Sequence, residues 1–186
     1  MTKISNAEAA LLGLLSEQPM YPYQIEQEVK EREMRFWTDL SMSSIYKLLR
    51  KLENDELVTR ENKVSPENRI QKLYSLSNKG TAVLQDKLEE ILKTPEHMRW
   101  EVDIGIYNSH LLSTDKIKAA LNEYRDELEK KIKGYHNLLD FLVESKCPKN
   151  HLAIAKRPVF LFEAEIKWID SYLAELEENK KEEHKV

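Results

Sequence analysis

Apolar residues recur at helical spacing along the first third of the chain. One such stripe predicts a first helix over about residues 6–17, formed by Ala7, Ala10, Leu11, Leu14 and Leu15. The run YPYQIEQEVKER places a proline at a helix start, with Ile25 and Val29 one turn apart, and predicts a short second helix. Ser41 is positioned to cap a third helix with its own apolar stripe: Ile45, Leu48, Leu49 and Leu52.

The third helix carries small hydroxyls and basic side chains on the face opposite to its apolar stripe. That polar face consists of Ser43, Ser44, Tyr46, Lys47, Arg50 and Lys51. Three short helices of which the third is capped and amphipathic form a helix-turn-helix unit. We therefore expect this face to point away from the core.

Two stretches with β character follow the third helix. LVTREN and RIQKLYSL are separated by the polar segment KVSPEN, which contains Pro66 and Asn68. The pattern predicts a hairpin with Lys63, Arg69 and Lys72 near its tip. A basic hairpin after three helices is typical of the wing of a winged helix.

The second half of the chain changes character after the helix SNKGTAVLQDKLEEILKT, which ends before Pro95. We expect a boundary here, with one domain over residues 1–93 and another, all-helical, over residues 94–186. Two nearly heptad seams in the second domain favour dimerisation over a self-contained helical hairpin. The candidate dimer contacts are Leu121, Leu128, Leu139, Ile166, Ile169 and Leu173.

Composition and charge agree with a mostly α (α+β) protein. Of 186 residues, 41% are apolar and 33% charged, with only 4 Gly and 6 Pro. The net charge of −4 argues at first against a polyanionic partner. However, residues 42–80 hold eight basic side chains against five acidic ones, so this segment is positive.

Several function classes are disfavoured. No run of about 18 apolar residues predicts a membrane span, the N-terminus lacks an export signal, and the single Cys147 fits a reducing cytoplasm. The four glycines are too far apart for a phosphate loop, and no serine has a nucleophile-elbow context. His97 and Glu101 have the spacing of metal ligands on one helix, but exposed polar residues meet it by accident. We expect no enzymatic activity, no metal and no cofactor.

Five short motifs occur in order and together resemble the PadR family of transcriptional regulators. They are LGLL near residue 12, PYQI at the second helix, Trp37, the run IYKLLRKLE from Ile45 to Glu53, and YSLSNKG. The resemblance covers about residues 8–92. The chain departs from the family pattern at Tyr21 and Pro22, and at Glu56, where the family commonly has glycine.

The resemblance implies a homodimeric winged helix-turn-helix repressor that binds a pseudo-palindromic operator in double-stranded DNA. Its third helix would enter the major groove and its wing would touch the backbone. Carried over to this sequence, the DNA-binding residues would be Tyr23, Ser43, Ser44, Tyr46, Lys47, Arg50, Lys63, Arg69 and Lys72. Trp37 is expected to anchor the core rather than to contact DNA.

Regulation by a small hydrophobic or phenolic effector is also implied by the family resemblance. An aromatic-lined cavity could involve Trp100, Tyr107, Phe160 or Trp168, although aromatics at helical spacing more often belong to a core or a dimer seam. The effector-binding residues are unknown. An alternative from another class is a helical protein-interaction module that uses the winged helix only as a scaffold.

Overall fold

The computed structural model describes residues 3–64 and 68–183 of the chain. The chain divides into two compact units, Met1–Met98 and Arg99–Val186. The N-terminal unit contains the helices α1 (Asn6–Glu17), α2 (Pro22–Glu31) and α3 (Met42–Asn54), the strands β1 (Val58–Val64) and β2 (Ile70–Leu76), and the helix α4 (Asn78–Lys93). This order is that of a winged helix, so the predicted mostly α fold is confirmed.

Serine caps set the starts of three of these helices. Ser5, Ser41 and Ser77 each accept a hydrogen bond from a backbone N–H in the first turn of α1, α3 and α4, respectively. Between them the apolar stripes meet in one core, in which Leu11, Ile25 and Leu52 are completely buried. The third helix therefore has one buried side and one free side, as its pattern predicts.

The wing is an antiparallel hairpin in which Val58 pairs with Leu76 and Val64 with Ile70. β1 runs two residues further than the predicted strand, and the predicted turn residues 65–67, including Pro66, lie outside the described residues. Met20 forms an isolated β-bridge with Tyr74 through two backbone hydrogen bonds of 3.0 Å. Tyr74 is buried, so the hairpin is attached to the helical core at its base.

Glu56, which departs from the family pattern, ends α3 in a left-handed conformation with a φ of 61°. The Leu57 N–H donates to the Leu52 carbonyl at 2.8 Å, and the Glu56 N–H donates to the Glu53 carbonyl at 3.0 Å. These two bonds form a Schellman motif, and the leucines at its two ends, Leu52 and Leu57, are both buried in the same core. The turn that glycine would make is therefore kept, with a glutamate in the strained position.

We expect Glu56→Gly to raise the unfolding midpoint by roughly 4 °C, because left-handed backbone costs an L side chain about 1 kcal/mol. The Glu56 carboxylate is exposed and its ion pair with Lys79, at 2.9 Å, is screened by water. Lys79→Ala, which removes that pair alone, should leave the midpoint nearly unchanged. Thermal unfolding followed by circular dichroism measures both, and a lower midpoint for Glu56→Gly would contradict the prediction.

The C-terminal unit contains α5 (Glu101–Tyr107), α6 (Thr114–Glu144) and α7 (Lys149–Glu183). Lys118 bonds Glu177, and Arg125 bonds Asp170, so residue numbers rise along α6 as they fall along α7. The two long helices are therefore antiparallel. Their contact buries Ile117, Leu121, Leu128 and Ile169.

Three details differ from the sequence-based expectations. Trp37 follows a short 3₁₀ turn and is 53% exposed, so it does not anchor the core. His97 lies in the irregular stretch before α5, so it shares no helix face with Glu101. The change between units falls after Met98, five residues beyond the boundary predicted from Pro95. Among the described residues, no helix is both long and apolar enough to cross a membrane.

Candidate nucleic-acid interface

Three serines lie at the start of α3, and their hydroxyls form different hydrogen bonds. Ser44 Oγ donates to the Ser41 carbonyl at 2.7 Å and accepts from the Ser41 N–H at 2.8 Å, so it is occupied by the cap. Ser43 is exposed, and its hydroxyl lies 3.1 Å from that of Ser41. Of the two predicted groove-facing serines, Ser43 therefore has the hydroxyl that can change partner without opening the capping box.

Further along α3, Tyr46, Lys47 and Arg50 are exposed side by side. They line a shallow groove of about 540 Å³ together with Ser43, Lys51, Asn54 and Asp55. Among the described residues, Lys47 and Arg50 form no ion pair. Their charges are therefore free to meet phosphate or guanine edges, to which lysine and arginine bind in DNA.

Lys51 belongs to the same face but is not free. Its ammonium binds Glu8 on α1 and lies 3.8 Å from Asp55. Burial alone would raise the pKa of Glu8, but the hydrogen bonds from Lys51 and Ser5 outweigh it and hold that pKa below its usual value. The bond to Glu8 likewise raises the pKa of Lys51. Glu8 was not among the predicted site residues, although the spacing Ser5-Asn-Ala-Glu8 is that of a capping box.

The predicted wing cations also differ in their surroundings. Lys72 is exposed and forms no ion pair among the described residues, whereas Lys63 binds Glu61 at 2.5 Å. Arg69 is exposed and already has a partner. Of the three wing cations, Lys72 is thus the one whose charge is most available to a ligand.

The wing is fixed to α3 by side chains at its base. Arg60 on β1 binds Glu53 on α3 at 3.2 Å. Burial raises the pKa of Tyr74 on β2, and the Glu53 carboxylate raises it further. The buried tyrosine and the ion pair therefore help to hold α3 and the hairpin in a fixed relation.

Tyr23, the predicted contact on α2, is 54% exposed. Its ring stacks on that of Tyr21, with 5.7 Å between centroids and 8° between planes. The Tyr21 N–H donates to Gln24 Oε1 at 2.9 Å, which fixes the start of the helix. Tyr23 is therefore held at the N-terminus of α2, where a helix attracts anions.

The predicted dimer contacts do not lie on an exposed surface. Leu121, Leu128 and Ile169 are at most 5% exposed, because α6 and α7 cover them within one chain. Ile166 and Leu173 pack against the same cluster, and Leu139 is half-buried. The apolar seams of α6 and α7 thus cover each other within one chain. Three buried residues have no surface left for a second copy.

Other apolar side chains of the C-terminal unit remain exposed. They include Leu138, Phe141, Val143, Ile154 and Phe160. Trp168 stacks on Tyr172, with 6.0 Å between centroids, and is 37% exposed. Tyr107 is 84% exposed and Trp100 36%. The four aromatics considered for an effector cavity are therefore each at least one-third exposed.

No group of three or more His, Cys, Asp or Glu side chains in the described ranges is close enough to hold a metal ion. A second groove, of about 340 Å³, lies between α6 and α7. It is lined by Lys118, Asn122, Arg125, Asp170, Leu173, Ala174 and Glu177. Its charged side chains already pair across the groove, Lys118 with Glu177 and Arg125 with Asp170.

The chain is similar to known regulators over most of its length. It is 24% identical over 180 residues to the negative transcriptional regulator PadR of Bacillus subtilis, covering 91% of this chain and 97% of that protein. A crystal structure of B. subtilis PadR in complex with operator DNA has a TM-score of 0.74 at 22% identity, covering 91% of this chain and 98% of that one. At that identity the likeness shows the fold.

Two further structures extend the comparison. B. subtilis PadR in complex with p-coumaric acid has a TM-score of 0.75 at 22% identity, covering 94% of this chain and 99% of that one. The virulence activator AphA of Vibrio cholerae has a TM-score of 0.61 at 21% identity, covering 92% and 98%. The model of the transcriptional regulator PadR-like family matches residues 11–86. This range begins within α1 and ends within α4. The resemblance to this family that the sequence motifs carry is confirmed over these residues.

Proposed function

We propose that the protein is a homodimeric repressor that binds a pseudo-palindromic operator in double-stranded DNA. The observation that carries this proposal is the free face of α3, where Tyr46, Lys47 and Arg50 are exposed and the two cations lack an acidic partner among the described residues. The proposal is supported by the match to a family of transcriptional regulators and by the likeness to a relative bound to operator DNA. The proposal places the protein in the cytoplasm, with no enzymatic activity and no cofactor.

In this proposal the contacts divide into two groups. Ser43 and Tyr46 meet base edges in the major groove, while Lys47 and Arg50 bind phosphates or guanine. Lys72, Lys63 and Arg69 on the wing and Tyr23 on α2 bind the DNA backbone. For Lys63 this requires leaving Glu61, so its contribution is smaller than that of Lys72. Ser44 contributes by capping α3 and does not contact DNA itself.

The dimer is proposed to form through apolar side chains that the chain leaves uncovered in the C-terminal unit. Phe141 and Phe160, at 62% and 70% exposure, are its main candidates, and Leu139 lies nearby in sequence. A two-fold dimer places its recognition helices about 34–36 Å apart, so the two half-sites are one helical turn apart. The same exposed side chains would serve the alternative function, a helical module that binds another protein.

Regulation is proposed to come from a small hydrophobic or phenolic compound that lowers the affinity for the operator. The relative bound to p-coumaric acid supports this class of ligand. Such a compound acts only if it binds the DNA-free state more tightly than the DNA-bound state. Titration of the protein–operator complex with p-coumaric acid, followed by anisotropy, tests release directly.

We expect Arg50→Ala and Tyr46→Ala each to weaken operator binding about 5- to 150-fold, because a specific base contact contributes about 1–3 kcal/mol. Gel shift on DNA from the protein's own upstream region, with fragments selected from genomic DNA as a second source, provides the measurement. The site should show two half-sites about one helical turn apart.

The matched control is Lys30→Ala, which removes an exposed positive charge from the same unit but from neither α3 nor the wing. Its affinity should stay within about twofold of the wild type, since exposed charges act weakly beyond the Debye length. Absence of specific retardation by the wild type on every fragment would contradict the regulator and favour the interaction module. Equal binding by wild type and Arg50→Ala would contradict the assigned contact face.

A further inference from the structure

Glu8 is a charged side chain that the fold buries, at 3% exposure, in the first turn of α1. Both of its carboxylate oxygens are used. Oε2 accepts from the Ser5 N–H at 2.7 Å, and Oε1 binds the Lys51 ammonium of α3. The carboxylate therefore joins the start of α1 to the recognition helix, across 43 residues of sequence.

Lys51 follows Arg50 directly and lines the same groove as the proposed DNA contacts. Half of its side chain is exposed, at 52%, yet its ammonium is directed to Glu8 and to Asp55. A lysine stem can lie along a surface while its charge is held at one point. Lys51 is thus a cation on the DNA-facing helix whose charge is neutralised by its own protein.

We propose, on the basis of the proposed function, that Glu8 is a positioning residue that keeps Lys51 off the DNA phosphates and fixes α3 against α1. The charge that α3 presents to the duplex then comes from Lys47 and Arg50. Phosphate contacts increase the affinity for every sequence alike, whereas base contacts discriminate. By withdrawing one cation per subunit, Glu8 lowers non-specific binding and leaves base recognition intact.

Glu8→Gln separates these roles. Glutamine is of equal size and its side-chain oxygen can still accept from the Ser5 N–H, but it carries no charge to hold Lys51. The freed ammonium should add one phosphate contact per subunit. The slope of log K against log salt should become steeper by about 0.9 per subunit, and affinity for a random-sequence duplex should rise at least about tenfold at 50 mM salt.

Three further variants serve as controls in the same titrations. Lys51→Met should keep the wild-type slope, because the withdrawn ammonium contributes no phosphate contact. Glu8→Gln combined with Lys51→Met should return to the wild-type slope. Lys47→Met should flatten it by about 0.9 per subunit, which calibrates the loss of one real contact.

A measurement on the wild type covers the case in which a Glu8 variant does not fold. With ¹⁵N-labelled lysine, the Lys51 ammonium should give a protected NMR signal in the free protein that scarcely shifts on adding operator DNA. The Lys47 signal should shift. A Lys51 shift equal to that of Lys47 would overturn the inference.

The remaining outcomes are distinct from one another. If Lys51→Met flattens the slope as much as Lys47→Met, Lys51 contacts DNA and the inference fails while the proposed function stands. If Glu8→Gln folds and keeps the wild-type slope, the inference likewise fails alone. If the wild type binds no DNA specifically, the proposed function fails and this inference fails with it.

Discussion

Replacing Gly80 with alanine is expected to destabilise the N-terminal unit by about 3 kcal/mol or more, the upper end of the cost of overpacking. A Cβ at this position would lie 2.0 Å from the Leu57 carbonyl oxygen, 2.9 Å from its carbon and 2.8 Å from Leu76 Cδ1. Two of these three atoms are backbone, so a change of side-chain rotamer cannot relieve the overlap.

The backbone at Leu57 is also held in place. Its N–H donates to the Leu52 carbonyl at 2.8 Å, and its carbonyl accepts from the Ser77 N–H at 3.1 Å. Ser77 Oγ further donates to the Glu56 carbonyl at 2.8 Å and accepts from the Gly80 N–H. Moving the start of α4 away from Leu57 would therefore break several bonds at once.

Urea unfolding monitored by circular dichroism measures the effect, and Gly13→Ala provides the matched control. Gly13 lies inside α1 with no atom within 4 Å of an added Cβ. Alanine there should stabilise the protein by about 0.5–1 kcal/mol, because glycine weakens a helix interior. A loss below about 1 kcal/mol for Gly80→Ala would contradict the close approach of Gly80 to the Leu57 carbonyl.

Operator affinity should fall about a thousandfold between 50 and 200 mM salt. Among the predicted DNA contacts, the three cations without an acidic partner in the described ranges are Lys47, Arg50 and Lys72, so the proposed dimer would offer about six phosphate contacts. Release of counterions at a slope of about 0.9 per contact gives this magnitude.

Anisotropy titrations of labelled operator at four or five salt concentrations test the slope. Lys72→Met is the informative variant, since removing one contact per subunit should reduce the slope by about 1.8 in a dimer. Lys30→Met removes a charge outside the interface and should leave the slope unchanged. A slope near zero for the wild type would contradict the phosphate contacts.

Local patterns predicted most of the N-terminal unit. The serine caps, the apolar stripe of α3 and the alternation in β2 each depend on residues close in sequence, and the helices and hairpin form where these patterns occur. The Glu56 turn was harder, because a glutamate gives no left-handed preference. Its conformation follows from the burial of Leu52 and Leu57 in the core and from the backbone bonds that close the motif.

Contacts between distant residues were not predictable from the pattern. The pair of Glu8 and Lys51 depends on how α1 crosses α3, and nothing near either residue identifies the other. The heptad seams show the same limit, since a periodic stripe predicts a partner helix but does not identify which chain supplies it. Leu121 and Ile169 are covered within their own chain. Trp37 follows the 3₁₀ turn after α2 and stays exposed, although its apolar ring favoured a place in the core.

The bridge between Met20 and Tyr74 has a consequence for solubility. A lone hairpin has two open edges, and an open strand edge can pair with strands of other molecules and begin aggregation. At Tyr74 the outer edge of β2 is closed by Met20 through both backbone bonds. The outer edge of β1 carries the charged residues Arg60, Glu61 and Lys63. One edge is therefore closed at its base and the other carries charges, and both features disfavour pairing between the wings of two molecules.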